Sequence, residues 1–209
     1  MNRAEEGMAR YLGRDRLARL QRLTVGIAGA GGLGSNCAMH LVRSGFKRFV
    51  IADYDAVEPS NLNRQAYRLD QVGLPKVDAL AENLRAVNPD AEIVVRRVRL
   101  TRENLPELFA GCDAVVEALD ESGAKAMVAE VFWNTGVLLV TASGMGGAGD
   151  ADALVTRRLR DNVWLVGDER TACDGANPPF SPRVGVAAAK QADVVLSHFL
   201  NGFKTEGDA

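Results

Sequence analysis

A glycine-rich turn after an apolar segment constrains the fold of this chain more than any other feature. The segment Thr24-Val-Gly-Ile-Ala28 is typical of a buried strand, and it leads into Gly29-Ala-Gly-Gly-Leu-Gly34 and then a predicted helix. Glycines allow a tight turn and a close approach of phosphate to the backbone, while the first turn of a helix offers free N–H groups and a positive dipole end. Residues 29–34, called the glycine loop below, therefore predict a nucleotide-binding unit through Gly29, Gly31, Gly32 and Gly34.

The polar residues after the second predicted strand indicate which nucleotide this unit holds. Asp53 lies 19 residues after Gly34, where a carboxylate contacts the ribose hydroxyls of a dinucleotide. A hydride-transfer enzyme, however, has no evident need for a second carboxylate at Asp55 and a run of polar side chains in the next loop. That run consists of Asn61, Asn63, Arg64 and Gln65, with Lys76 at the start of the following helix. Taken singly, each could be an ordinary turn or surface residue, but together they suit a triphosphate undergoing chemistry.

The rest of the chain predicts an α/β fold. Apolar runs alternate with helical segments, as a parallel sheet buried on both faces requires. We expect a Rossmann-like, doubly wound, mostly parallel sheet with a C-terminal antiparallel hairpin and a final helix. The predicted strands are residues 24–29, 49–53, 92–98, 114–118 and 137–142, the hairpin is 154–159 with 163–166, and the helices include 76–87, 102–110 and 184–200. One domain is expected over residues 1–209, divided into an N-terminal helical arm (1–22), a nucleotide-binding core (23–142) and a C-terminal part (143–209).

Composition narrows the class of partner and the compartment. The net charge of −2, with arginines scattered along the chain, does not support nucleic-acid binding. The last predicted helix carries Lys190, Gln191 and Asp193, which make it too polar to span a membrane. Three cysteines, an odd number, and no signal-like apolar N-terminus are expected of a cytoplasmic protein. Because the cysteines form no paired Cys-x-x-Cys motifs, we expect no zinc site.

The segment from Asp53 to Gln65, with the glycine loop before it and Gly73-x-x-Lys76 after it, resembles the ThiF/MoeB family. This family comprises sulfur-carrier adenylyltransferases related to ubiquitin-activating enzymes. The resemblance runs from about Arg10 to the final helix, and the short chain is most similar to a zinc-free ThiF type.

This resemblance implies that the chain uses ATP to activate the C-terminal glycine carboxylate of a small ubiquitin-like carrier that ends in Gly-Gly. The carboxylate attacks the α-phosphate and yields an acyl-adenylate and pyrophosphate. Gly32 and Asp53 match positions that contact phosphate and ribose, Asn61, Arg64 and Lys76 match positions that orient and neutralise phosphates, and Asp120 matches the magnesium ligand. The implied partners are the carrier and a second copy of this chain.

Three positions depart from the family pattern or leave two interpretations open. Lys125 stands where members commonly carry an arginine, which keeps the charge but loses the planar fork. Arg14 lies one position away from the family arginine that reaches the ATP of the other subunit, and it could equally be a surface residue. Cys173 occupies a loop in which relatives place a sulfur-transfer cysteine, although the neighbouring Asp174 would raise its pKa and adenylation needs no thiol.

The sequence leaves several functions to be separated. The leading interpretation is adenylation of a ThiS-like carrier in thiamine biosynthesis. The same chemistry on a MoaD-like carrier, a peptide or a tRNA-linked carboxylate is not distinguished by the motif. An NAD-dependent oxidoreductase is the alternative from another class, but it assigns no role to Arg64. A non-catalytic, carrier-binding scaffold is the third alternative.

Overall fold

The computed structural model describes residues 1–202 and contains one seven-stranded sheet. Six of the strands are parallel to one another, and the seventh, β6, is antiparallel to β7. The strands are β1 (Thr24–Ala28), β2 (Arg48–Asp53), β3 (Glu92–Arg97), β4 (Ala114–Glu117), β5 (Leu138–Ala142), β6 (Val155–Arg160) and β7 (Val163–Gly167). The predicted α/β class, with a mostly parallel sheet and an antiparallel hairpin, is confirmed.

The order of the strands fixes where a nucleotide site can lie. In the sheet they run β3-β2-β1-β4-β5-β7-β6, so the chain builds outward from β1 in one direction and then returns to its other side at β4. In open parallel sheets, ligands bind at the carboxyl ends of the strands where the order reverses. The glycine loop follows β1 directly and therefore lies at this reversal.

Helices cover both faces of the sheet. The helices are α1 (Arg3–Leu12), α2 (Arg14–Leu20), α3 (Gly32–Arg43), α4 (Lys76–Val87), α5 (Leu105–Leu108), α6 (Ser122–Phe132) and α7 (Ser181–Gly202). On one face, α3, α4 and α7 bury side chains such as Leu41, Leu80 and Val195. On the other face, α5 and α6 contribute Leu105 and Phe132, and Phe109 directly after α5 packs with them. Each fully buried side chain of this size stabilises the fold by roughly 1.5–3 kcal/mol.

The predicted helix over residues 102–110 was wrong in extent, and α6 was not predicted. Only Leu105–Leu108 is helical in the first of these segments. Before it, Asn104 accepts a hydrogen bond from the Thr101 N–H and donates one to the Arg99 carbonyl, so its side chain holds a turn in place of helix. α6 supplies Val128 and Phe132 to the second core cluster. Among residues 1–202, no helix is long and apolar enough to cross a membrane.

The hairpin extends the main sheet. β7 pairs in parallel with β5 in the register Val140↔Trp164, which places β6 at the sheet edge. Every residue of β6 is exposed. The final helix begins at Ser181, three residues earlier than expected, because Pro182 is well tolerated in a first helical turn.

The N-terminal arm is attached by a buried carboxylate. Glu5 in α1 is only 3% exposed and accepts a hydrogen bond from Lys47 Nζ at 3.2 Å. Asn2 caps the helix through the Glu5 N–H at 3.0 Å and donates to Asn88 at 2.7 Å. These bonds join α1 to the segments before β2 and after α4.

The close packing of the glycine loop makes a testable prediction. A Cβ added at Gly34 would overlap the carbonyl oxygen of Gly29, whereas one added at Gly123 in α6 would meet nothing within 4 Å. We expect Gly34→Ala to lower the free energy of unfolding by about 2 kcal/mol or more, although alanine favours helix. Gly123→Ala should leave it unchanged or raise it by up to about 1 kcal/mol. Urea denaturation measures both, and equal stabilities would contradict the packing argument.

Candidate functional site

The glycine loop packs tightly between the ends of β1 and β4. Gly29 has φ +100°, and a Cβ there would lie 2.8 Å from the Ala118 carbonyl oxygen and 3.0 Å from Leu119 Cδ2. Both contacts exclude a larger residue. The loop is thus held directly beside the segment that carries Asp120.

Two side chains hold Ala30 in the middle of this loop. Asp53 Oδ2 accepts a hydrogen bond from the Ala30 N–H at 2.7 Å, and Asp53 Oδ1 accepts one from the Asp55 N–H at 2.8 Å. Tyr67 donates its hydroxyl to the Ala30 carbonyl at 2.6 Å. Burial and the nearby Asp53 charge raise the pKa of Tyr67, so it stays a neutral donor. A carboxylate has about four lone-pair sites, so Asp53 keeps acceptor capacity for a ribose hydroxyl.

The first turn of α3 is open to an anion. Its N-cap is Gly31, and no side chain caps the helix. The early N–H groups of such a helix lack intrahelical partners and bind phosphate well. Asn36, inside the same helix, donates to the carbonyls of Gly32 at 2.7 Å and Arg64 at 2.8 Å. It thereby joins the glycine loop to the polar loop after β2.

Arg64 extends over the start of α3. A Cβ added at Gly32 would lie 3.5 Å from Arg64 Cγ and 3.7 Å from its Cδ. The guanidinium donates to Asn63 Oδ1 at 2.8 Å and to the Ser60 carbonyl at 3.3 Å, both neutral acceptors. Asn63 in turn donates to the Pro179 carbonyl at 3.2 Å. The positive charge of Arg64 is therefore oriented without an anionic partner in its hydrogen bonds.

The two remaining polar residues of this loop are largely buried. Asn61 is 8% exposed and caps the turn by accepting a hydrogen bond from the Glu58 N–H at 3.1 Å. Gln65 is also 8% exposed, and its amide nitrogen lies 3.9 Å from the position of a Cβ on Gly31. The glycine loop thus lies beside both Arg64 and Gln65, as the sequence predicts for one shared site.

Lys76 is paired with Asp55. Its Nζ lies 2.7 Å from Asp55 Oδ2, and the Lys76 side chain is only 9% exposed while that of Asp55 is 43% exposed. The Lys76 N–H also donates to the Asp55 carbonyl at 2.9 Å. Asp55, which the sequence placed among nucleotide contacts, therefore contacts Lys76 and orients its ammonium group.

Asp120 and Lys125 follow β4 but have different surroundings. Asp120 is exposed and makes no hydrogen bond or ion pair with residues 1–202. Lys125 is bound to Glu117, with its Nζ 3.1 Å and 3.2 Å from the two carboxylate oxygens. No cluster of three or more metal-binding side chains exists within residues 1–202. A single free carboxylate fits a magnesium ion that takes its other ligands from phosphates and water.

The three cysteines differ in accessibility. Cys37 and Cys112 are buried, and burial raises the pKa of both thiols, to about 12 for Cys112. Cys173 is exposed, but partial desolvation raises its pKa, and Asp174 adds to this rise. The positive charges of Arg64 and Lys125 act in the opposite direction. The Cys173 loop therefore lies within electrostatic reach of the nucleotide-site cations.

Arg14 is not joined to this group in a single chain. It is exposed at the start of α2 and makes no hydrogen bond or ion pair with the described residues. Its role toward the site of a second subunit stays a prediction.

Comparison with known proteins identifies the family. The model of the ThiF family matches residues 4–197. The chain belongs to the ThiF family. The glycine loop, which was the principal evidence for a nicotinamide oxidoreductase, lies within the region that matches this family. That alternative therefore loses its main support.

The relatives of this ThiF-family chain carry out several reactions. The SAMP-activating enzyme E1 of Haloferax volcanii is 36% identical over 138 residues, 66% of this chain and 51% of that protein. The tRNA threonylcarbamoyladenosine dehydratase of Bacillus subtilis is 34% identical over 143 residues, 68% of this chain and 56% of that protein. The adenylyltransferase and sulfurtransferase UBA4 of Candida glabrata is 36% identical over 137 residues, 65% of this chain. The chain spans 32% to 56% of the length of these relatives.

Solved structures agree on the fold. The Escherichia coli tRNA N6-threonylcarbamoyladenosine dehydratase, TcdA, superposes with a TM-score of 0.84 at 22% identity, covering 94% of each chain. Its complex with ATP gives a TM-score of 0.81 at 24% identity, covering 95% of this chain and 93% of that one.

A second feature of the ThiF-family chain is a cleft of about 550 Å³ near the C-terminal loops. We call it the loop cleft. Its walls come from a second glycine-rich segment, from β6 and from the loop that follows β7. The lining residues include Gly146, Gly147, Gly149, Arg157, Asp168, Thr171, Asn177 and Arg183. Arg183 is 4% exposed and donates to the Gly149 and Asp150 carbonyls at 2.8 Å and 2.7 Å. It also pairs with Asp168 at 2.5 Å.

Several residues that shape the site were missed from the sequence. They share a supporting role rather than a place in the motif: Asn36, Tyr67, Glu117, Thr141, Asp168 and Arg183. Glu117 lies inside the predicted apolar strand 114–118, and a charged residue in such a position was the one available signal.

The Asp168 ion pair makes a testable prediction about pH. Desolvation alone would raise the pKa of Asp168, but hydrogen bonds from Thr171, the Arg170 N–H and Arg183 outweigh it and lower the pKa from 3.8 to about 2. The ionised form therefore adds stability at neutral pH that is lost as the pH falls from about 4 toward 2. We expect Asp168→Asn to cost about 2 kcal/mol at pH 7, with the difference from wild type shrinking across that window.

The matched control for Asp168→Asn is Asp161→Asn. Asp161 also pairs with an arginine, Arg158 at 2.9 Å, but its side chain is fully exposed. Exposed pairs contribute little, so urea denaturation should give the same stability as wild type for this variant at every pH. An Asp168→Asn effect that is constant between pH 7 and 3 would contradict the assigned pKa.

Proposed function

We propose that this chain is an adenylyltransferase that uses ATP to activate a carboxylate, producing an acyl-adenylate and pyrophosphate. The observation that carries the proposal is the placement of Arg64 over the start of α3. Its Cγ lies 3.5 Å from the position that a Cβ on Gly32 would take. This placement brings the Arg64 guanidinium, which donates only to neutral oxygens, to the N-terminus of a helix, where phosphate binds well. Membership of the ThiF family supports the same reaction.

In the proposed reaction, a carboxylate oxygen of the substrate attacks the α-phosphorus of ATP. The new C–O–P linkage forms as the bond from the α-phosphorus to the pyrophosphate oxygen breaks, and pyrophosphate leaves with the electron pair. Both reactants are anions, so the barrier is largely electrostatic and fixed cations should dominate catalysis. Arg64 and Lys76 supply such charges, and Asp53 is positioned for the ribose.

Asp120 is the residue that would hold magnesium, because its carboxylate has no other partner within residues 1–202. Magnesium bound with ATP would neutralise phosphate charge. The chain's own contribution is to place the carboxylate beside the glycine loop, since Ala118 and Leu119 pack on Gly29.

The first proposed substrate is a small ubiquitin-like carrier ending in Gly-Gly, of the ThiS type used in thiamine biosynthesis. Relatives named as UBA4 and as a SAMP-activating E1 support carrier activation. The loop cleft offers backbone from the second glycine segment to an extended tail. A homodimer, in which Arg14 reaches the ATP of the partner subunit, is proposed on the resemblance alone.

A second proposed substrate is a tRNA carrying N6-threonylcarbamoyladenosine, whose threonine carboxylate could be activated in the same way. The Bacillus subtilis dehydratase aligns over more of this chain, 68%, than the two carrier-activating relatives. Arg157 of the exposed edge strand β6 also lines the loop cleft. Arginines at a sheet edge suit a phosphate backbone, although the net charge of −2 does not.

The adenylation step is tested by exchange of labelled pyrophosphate into ATP with magnesium and substrate. We expect Arg64→Ala to lower the exchange rate roughly 100- to 1,000-fold, as loss of one preorganised donor does elsewhere. Arg48→Ala is the control, because Arg48 pairs with Glu92 at the amino end of β2, the edge opposite the site. Equal rates for the two variants would overturn the role of Arg64.

The substrate is tested in the same assay with four additions: a ThiS-like carrier, the same carrier lacking Gly-Gly, modified tRNA and unmodified tRNA. Exchange that needs the Gly-Gly tail would support the carrier, and exchange that needs the modified nucleoside would support the tRNA substrate. ATP binding without exchange under all four conditions would favour a non-catalytic scaffold.

A further inference from the structure

One buried charge beside the site has no place in the proposed reaction. Glu117 is the last residue of β4, a central strand, and is fully buried. An ionised carboxylate in such a position is costly unless it is paired and hydrogen-bonded. An apolar residue at this place in the strand would avoid that cost, so the presence of a carboxylate needs a physical explanation.

The carboxylate of Glu117 accepts four hydrogen bonds from three different elements. Oε1 accepts from the Leu119 N–H at 2.7 Å and from Lys125 Nζ at 3.1 Å. Oε2 accepts from Thr141 Oγ1 at 2.6 Å and from Lys125 Nζ at 3.2 Å. Both oxygens are therefore satisfied, and β4, β5 and the first turns of α6 meet at this one group.

These bonds enclose the segment that carries Asp120. Leu119 lies immediately before Asp120, and Lys125 lies one helical turn into α6 after it. On the other side, Ala118 and Leu119 pack against Gly29, within 3.0 Å of the position of its missing Cβ. The backbone around Asp120 is therefore held from both sides while its carboxylate stays free.

We propose that Glu117 is a positioning residue: by binding the Leu119 N–H and Lys125, it fixes Asp120 at the distance from the glycine loop at which its carboxylate meets the cation bound to ATP. This inference rests on the proposed adenylation. It also assigns a role to Lys125. The charge of Lys125 balances Glu117, so an arginine fork is not required at this position.

The test measures how the affinity for ATP depends on magnesium. Isothermal titration gives the ATP dissociation constant in EDTA and then at increasing Mg²⁺ for wild type, Glu117→Gln and Asp120→Asn. We expect both variants to bind ATP in EDTA as wild type does. Glu117→Gln should need about 10- to 100-fold more Mg²⁺ to reach the tightened affinity, the usual cost of losing a residue that orients a metal ligand. Asp120→Asn, which removes the charged ligand itself, should need at least as much.

A matched control separates this role from a loss of stability. Glu5→Gln also neutralises a buried carboxylate paired with a lysine, Lys47 at 3.2 Å, but in the N-terminal arm. It should be destabilised while keeping the magnesium dependence of wild type. If Glu117→Gln does not fold, Thr141→Val removes a single bond to the same carboxylate and should raise the Mg²⁺ requirement several-fold.

The outcomes distinguish the two proposals. If Asp120→Asn changes the magnesium dependence but folded Glu117→Gln behaves like wild type, the positioning role of Glu117 is overturned and adenylation stands. If the ATP affinity of wild type does not respond to magnesium and pyrophosphate exchange is absent, the proposed function fails and this role fails with it.

Discussion

The close contact between Gly34 and the carbonyl of Gly29 is the constraint on which the rest of the site depends. It closes the glycine loop so tightly that no side chain fits at either position. Within this closed loop, the Ala30 N–H donates to Asp53 and the Ala30 carbonyl accepts from Tyr67. The loop is thereby linked to the carboxyl ends of β2 and β4, the two strands that pair with β1.

The cations around this loop differ in how far their charge is compensated. Lys76 is paired with Asp55, and Lys125 with the buried Glu117. Arg64 donates only to neutral oxygens. A cation without a carboxylate partner keeps more of its field for an incoming anion, which is why Arg64 is the residue on which the proposed chemistry depends most.

Local patterns predicted much of this fold. The bounds of α4 agree with expectation, since Pro75 precedes its first residue and Asn88-Pro89 follows its last. The error at residues 102–110 arose because Asn104 and Thr101 bond to nearby backbone, which hydrophobic periodicity does not register. The parallel pairing of β7 with β5 also escaped prediction, because a hairpin carries no signal for the third strand that it joins.

The amino-acid sequence alone was enough to establish the α/β class, the glycine loop and the family, because these depend on short spacings along the chain that glycine, apolar and charged residues satisfy locally. Folding in three dimensions decided which charges meet. Lys125 lies eight positions from Glu117, and Thr141 lies 24 positions away, yet both donate hydrogen bonds to the Glu117 carboxylate. Such contacts depend on the order of strands in the sheet and on burial, and neither can be predicted from the spacing of residues in a motif.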